Sequence, residues 1–178
     1  MPLPTSSFEK SSRELWYPPG HGDIYESLFE SGLLENLIKQ GKEYIFISNV
    51  DNLGATVNLD LMYHMINTES EFMMEITEKT RVDVQGGTLI SYRGHPTLLE
   101  SMQIPTELET KHKNGFCCFN TNNIWVNLRA IQRVVAKEAL NPNPVVVHRT
   151  LPNGQKVIQL ETAAGGVMKV GQHFKSTY

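Results

Sequence analysis

Four consecutive apolar residues, Tyr44-Ile45-Phe46-Ile47, stand between a helical repeat and the polar run Ser48-Asn49-Val50-Asp51-Asn52. A run so short, and so rich in aromatic and β-branched side chains, predicts a strand buried on both faces and hence central in a parallel or mixed sheet. Such a strand needs helices on either side, and the flanking sequence supplies them. Ile24, Leu28, Leu33, Leu34, Leu37 and Ile38 recur at three- and four-residue spacing between Asp23, a candidate N-cap, and the stop Gly41, with Ser31-Gly32 dividing the run into two short helices. A further helix is expected over Asn58 to Ile66, burying Leu59, Met62 and Ile66, and a strand from Phe72 to Thr77 completes a β-α-β progression.

Beyond it, Gly86-Gly87 opens a hairpin of Thr88 to Tyr92 against Thr97 to Ile104, and Phe116 to Phe119 forms another strand ending at Asn120-Thr121-Asn122-Asn123. Val126 to Leu140 has the clearest helical pattern, with Leu128, Ile131, Val134 and Val135 on one face. A last hairpin pairs Val145 to Val147 with Val157 to Leu160 about Pro152-Asn153-Gly154, and the small-residue segment Glu161 to Lys169 suits a helix. Residues 1–15 form an extended lead-in before Pro18-Pro19-Gly20. The fold class expected is α/β, a mixed sheet flanked by helices.

With 178 residues, 40% hydrophobic and 20% charged, the chain suits one globular domain with a core. Its net charge of −3 offers no basic excess for a nucleic-acid partner. No stretch approaches the ~18 to 20 uninterrupted apolar residues of a membrane span, and a cytoplasmic protein is expected. Cys117 and Cys118, being adjacent, suit reduced thiols in a strand rather than a disulfide.

In an α/β sheet, ligands collect beyond the carboxyl ends of strands, and three polar clusters fall at such positions. Gly20-His21-Gly22-Asp23 precedes a helix, where backbone N–H groups can hold an anionic phosphate; a tight turn with Asp23 as a cap is the other reading. Asn49-Val50-Asp51 follows the apolar strand, so Asp51 can supply a hard oxygen to Mg²⁺; a helix cap or an Asx-turn is the other reading. Asn120, Asn122 and Asn123 suit sugar hydroxyls, or a turn and helix N-cap before Trp125.

Taken in order, Trp16-Tyr17-Pro18-Pro19-Gly20-His21-Gly22-Asp23, Ser48-Asn49-Val50-Asp51-Asn52-Leu53-Gly54-Ala55-Thr56, Lys79-Thr80-Arg81 with Gly86-Gly87-Thr88-Leu89, Phe119-Asn120-Thr121-Asn122-Asn123 and Ile158-Gln159-Leu160-Glu161-Thr162-Ala163 resemble eukaryotic UTP–glucose-1-phosphate uridylyltransferases, the UDP-glucose pyrophosphorylases. The resemblance implies a Rossmann-related, glycosyltransferase-A-like nucleotidyltransferase domain. It implies transfer of uridylyl from UTP to glucose 1-phosphate, giving UDP-glucose and pyrophosphate with Mg²⁺ as cofactor, with neither nucleic acid nor membrane as partner. It also implies that Gly20 and Asp51 meet the nucleotide, and that His21, Asn49, Val50, Asp51 and Asn122 meet the sugar phosphate. Asp51 would hold the metal, and Gly87 and Glu161 would line the sugar pocket.

The family's glycine-rich phosphate loop, its phosphate-gripping lysine and its C-terminal β-helix, used in homo-oligomers, have no counterpart among these motifs. No catalytic residue is therefore assigned. The expectation is that residues 1–178 are the central, partial nucleotidyltransferase domain, weakly active or inactive alone. The alternative is a non-catalytic truncated isoform that binds sugar nucleotide or a full-length subunit.

Overall fold

A computed structural model describes residues 17–80, 86–92, 95–104, 118–137, 140, 144–166 and 176–177. Its centre is a four-stranded sheet of β1 (Tyr44–Ile47), β2 (Phe72–Glu78), β5 (Cys118–Asn127) and β8 (Ser176–Thr177), in the order β1-β5-β2-β8. β5 runs antiparallel to both β1 and β2, and β8 lies parallel to β2, so the sheet is mixed as expected. β1 and β2 therefore point the same way, joined through α3 (Leu59–Asn67), but β5 is inserted between them. Two hairpins stand apart from this sheet, β3 (Thr88–Tyr92) with β4 (His95–Leu99), and β6 (Val145–Thr150) with β7 (Lys156–Glu161).

Side chains that alternate along the strands divide the interior into two layers. Phe72, Met74, Ile124 and Val126 face a core shared with α1 (Ile24–Glu30), α2 (Leu33–Lys39) and α4 (Leu128–Ala136), through Tyr25, Leu28, Leu34, Ile131 and Val134. Met73 and Trp125 face the opposite side, where Met65 of α3 closes a smaller cluster with Tyr44, Phe46, Leu61 and Met62. The rings of Phe46 and Trp125 pack with centroids 4.5 Å apart.

Several expectations need correction. Both faces of β1 are covered, yet it is the outermost strand of the described sheet and its residues are only half-buried. In α3, Leu59 and Ile66 are exposed and Met65 is the fully buried residue, because the helix packs through Met65, Leu61 and Met62. Asn120 to Asn123 do not form a turn; β5 continues through them to Asn127, whose side chain accepts from the N–H groups of Arg129 (2.9 Å) and Ala130 (3.1 Å) and so starts α4 two residues later than Val126. Asp23 occupies the N-cap of α1 without capping it, its carboxylate accepting instead from Ser27 Oγ at 2.7 Å. Strand β4 ends at Leu99, and Ser101–Gln103 is a single 3-10 turn. Glu161 ends β7, and among the described residues beyond it 164–166 form a helical turn, also 3-10. Residues 1–15, Cys117 and residues 167–169 lie outside the described residues.

Candidate functional site

The site is assembled from segments far apart in the chain. Gly20 holds φ at +95°, which points the following N–H groups at the strand-end segment 161–164. Thr162 N–H donates to Pro19 O at 2.8 Å and Gly22 N–H donates to Thr162 O at 2.9 Å, a two-bond ladder between the first cluster and the last motif. His21 Nδ1 accepts from Ala164 N–H at 3.0 Å, and Tyr25 Oη, wholly buried, donates to Ala164 O at 3.1 Å. Because Nδ1 is occupied as an acceptor, the neutral ring carries its proton on Nε2. Although His21 is exposed by surface area, enough protein crowds the ring to lower its pKa, with the Glu161 charge pulling the other way. Burial also pushes the Tyr25 hydroxyl up, which keeps it a donor.

A second group gathers where β5 bulges against β2. Met74 pairs with Ile124 and Ile76 with Asn120, so Glu75 alone faces Thr121, Asn122 and Asn123. In the bulge Asn122 takes φ +60°, its N–H bonded to Asn120 Oδ1 at 2.9 Å. Asn122 Nδ2 donates to Asn49 Oδ1 at 2.7 Å, and Asn52 Nδ2 donates to Asn123 Oδ1 at 3.1 Å. Two neighbouring amides of β5 thus tether the loop that follows β1. Asn122 Oδ1 is buried and has no hydrogen-bond partner among the described residues. Val50 and Asp51 sit at the exposed turn of the tethered loop.

Gly87 O accepts from Asn120 N–H at 2.8 Å, and a Cβ at Gly87 would lie 2.8 Å from Leu98 Cδ1. Gly165 approaches Leu98, Met74 and Asn120 Nδ2, which links the Thr162 segment to the bulge. The structure therefore joins Gly20 and His21 to the segment that follows Glu161, Asn49 to Asn122, and Gly87 to Asn120. Trp16 and Arg81 lie outside the described residues.

Sequence reasoning passed over Glu75 and Thr162. A lone carboxylate within Phe72-Met73-Met74-Glu75-Ile76 was the available signal, since an isolated acid in an apolar strand requires donors nearby. Thr162 acts mainly through its backbone, which carries no residue-type signal.

No group of three or more His, Cys, Asp or Glu side chains among the described residues is placed to hold a metal. A single exposed carboxylate on a tethered loop fits an ion that takes its other ligands from phosphate oxygens and water, which is how Mg²⁺ is commonly held in nucleotide sites. No helix among the described residues is long and apolar enough to cross a membrane.

Comparison with known proteins identifies the family. The pattern of the family described as UTP--glucose-1-phosphate uridylyltransferase matches residues 1–177. A Hordeum vulgare UTP--glucose-1-phosphate uridylyltransferase is 50% identical over 173 residues, covering 94% of this chain and 36% of that protein. Among solved structures, the Trypanosoma brucei UDP-glucose phosphorylase superposes with a TM-score of 0.87 at 35% identity, over 97% of this chain and 40% of that one. A Leishmania major UDP-glucose pyrophosphorylase variant in complex with UDP-glucose gives 0.81 at 31% identity, over 96% and 40%. The chain spans about a third of the length of the curated relatives it matches.

Proposed function

The chain belongs to the UTP–glucose-1-phosphate uridylyltransferase family, and on that premise we propose that its described core forms the sugar-nucleotide side of a uridylyltransferase site. In this reaction a phosphate oxygen of glucose 1-phosphate attacks the α-phosphorus of UTP, and pyrophosphate leaves as UDP-glucose forms. Such a transfer needs reactants held in line and their charge neutralised more than it needs a protein nucleophile. Residues 1–178 would act as one part of a nucleotidyltransferase domain.

The observation that carries this reading is Asn122. A buried acceptor left without a donor costs about 1–3 kcal/mol, and the bulge holds the residue in a left-handed conformation that Asn tolerates better than most side chains. A turn of the side chain that brings Oδ1 to the surface would let a glucose hydroxyl supply the donor it lacks. On this reading Asn49, bonded to the same amide, is oriented by it, and Val50 and Asp51 face the nucleotide sugar. His21 presents Nε2–H to the sugar phosphate, Gly20 brings the backbone close to the uridine nucleotide, and Gly87 and Glu161 flank the sugar. Asp51 would hold Mg²⁺, which when bound neutralises charge on the phosphates. The adjacent Cys117 and Cys118 suit reduced thiols rather than a disulfide, so a cytoplasmic setting belongs to the same proposal.

Calorimetric titration with UDP-glucose tests the reading. Asn122→Gly keeps the left-handed backbone while deleting the amide, and it is expected to weaken binding by about tenfold or more, the loss of one good hydrogen bond. Unchanged affinity would sink the assignment of Asn122. With UTP, glucose 1-phosphate and Mg²⁺, pyrophosphate release by this chain is expected to be slow or absent, and any release must vanish in Asp51→Ala.

A further inference from the structure

We propose that Glu75 is a positioning residue that sets the Asp51 loop through a hydrogen-bond relay of fixed polarity. The relay begins at a group that can only donate, the backbone N–H of Gly54, which bonds Asn52 Oδ1 at 3.2 Å. That bond turns Asn52 Nδ2 toward Asn123 Oδ1 at 3.1 Å, which in turn directs Asn123 Nδ2 to Glu75 Oε2 at 3.1 Å. The second carboxylate oxygen, Oε1, accepts from the indole Nε1–H of Trp125 at 2.7 Å, another group that can only donate. Every link has one possible direction, and only a side chain with two acceptors and no donor closes it.

Asn52 is also the hub of the loop. Its N–H donates to Asn49 O at 3.1 Å and its carbonyl accepts from Ala55 N–H at 3.1 Å, so the turn carrying Asp51 is built on the residue that the relay grips. Asn123 and Trp125 are buried and Glu75 is half-buried, so water is a poor substitute for a partner lost at that end of the relay, whereas Gly54 is exposed. The bulge lets Glu75 serve three β5 residues, the carboxylate taking Asn123 and Trp125 while its backbone carbonyl accepts from Thr121 Oγ1 at 2.8 Å. What the loop contacts once positioned rests on the sugar-nucleotide reading above; the relay itself does not.

The test exploits polarity. In Glu75→Gln the new amide has one acceptor for two obligatory donors, so either the indole or Asn123 loses its partner and the relay to Asn52 breaks. Asn123→Asp places two carboxylates face to face and breaks it as well. Combining Glu75→Gln with Asn123→Asp restores the pattern at unchanged net charge: the new amide oxygen takes the indole, its NH₂ donates to the new carboxylate, and the other carboxylate oxygen accepts from Asn52.

Amide hydrogen exchange at Gly54 in the ligand-free chain reads the relay, and UDP-glucose titration with Mg²⁺ reads its consequence. Each single variant is expected to speed Gly54 exchange and weaken UDP-glucose by about tenfold, the size of one hydrogen bond to a charged group, and the double variant to return both to near the starting values. A merely structural Glu75 gives two additive losses with no rescue, which overturns the proposal, as does unchanged Gly54 exchange in Glu75→Gln. If Glu75→Gln fails to fold, the double variant must fold with protected Gly54, and its failure overturns the proposal too. Absence of UDP-glucose binding by the unmodified chain, alongside rescued Gly54 exchange, removes the functional reading and leaves the relay standing.

Discussion

Gly20 shows how much one backbone angle controls here. At φ +95° an added Cβ would collide with Thr162 O and sit 2.6 Å from Thr162 N, inside the ladder that docks residues 19–22 onto the 161–164 segment. Gly20→Ala is therefore expected to cost about 1–3 kcal/mol or more, seen as a lower urea midpoint with an unchanged slope. At His21 the sign of the pH effect follows from the direction of its pKa. The folded state lowers the imidazole below its ordinary 6.5, so between the two values the unfolded chain binds more protons and acid favours unfolding. The contribution is whole above about 6.5 and is lost as pH falls toward the folded value. Protonation of Nδ1 also breaks the bond from Ala164 N–H. An imidazole titration by ¹⁵N NMR should show an unprotonated Nδ1 at neutral pH and a midpoint under 6.5; a raised midpoint would contradict this account.

At the scale of elements, α3 reverses the burial expected from its hydrophobic pattern. Met65 is 0% exposed between Met73 and Trp125, whereas Leu59 is 66% exposed. Met65→Ala should lose about 2–5 kcal/mol, and Leu59→Ala should stay within about 0.5 kcal/mol, both measured by chemical denaturation. Periodicity located this helix to within a residue at each end, because Asn58 caps it through bonds to the N–H groups of Asp60 and Leu61. It could not say which of several apolar stripes turns inward, since that depends on what the sheet presents. The opposite failure occurred in β5. Three asparagines in four residues look like a turn by local preference, yet pairing with β2 before and after them, joined by β1 from Ile124 onward, carries the strand through and the bulge absorbs the excess.

At the scale of the whole molecule, the proposed ligand would bridge segments separated by well over a hundred residues, from Gly20 through the β1 loop and the β5 bulge to the Thr162 segment. A ligand that binds only when those segments are docked stabilises the folded state by mass action, by about 2.7 kcal/mol at a hundredfold excess over Kd. UDP-glucose should accordingly raise the melting temperature in proportion to the logarithm of its concentration, and Asn122→Gly should blunt the rise; a flat response would count against the site. The sequence by itself determined the alternation of strands and helices, the existence of the two hairpins that begin at Thr88 and Val145, and the residues that mark the family, because apolar periodicity and turn chemistry are local properties. Only the tertiary structure decided that β5 separates β1 from β2, that Asn122 takes its left-handed conformation within a strand bulge rather than in a turn, and that Glu75 stands behind the Asp51 loop. Those facts depend on pairing and hydrogen-bond direction between residues distant in the chain, and no local pattern encodes which partner a strand or a carboxylate will meet.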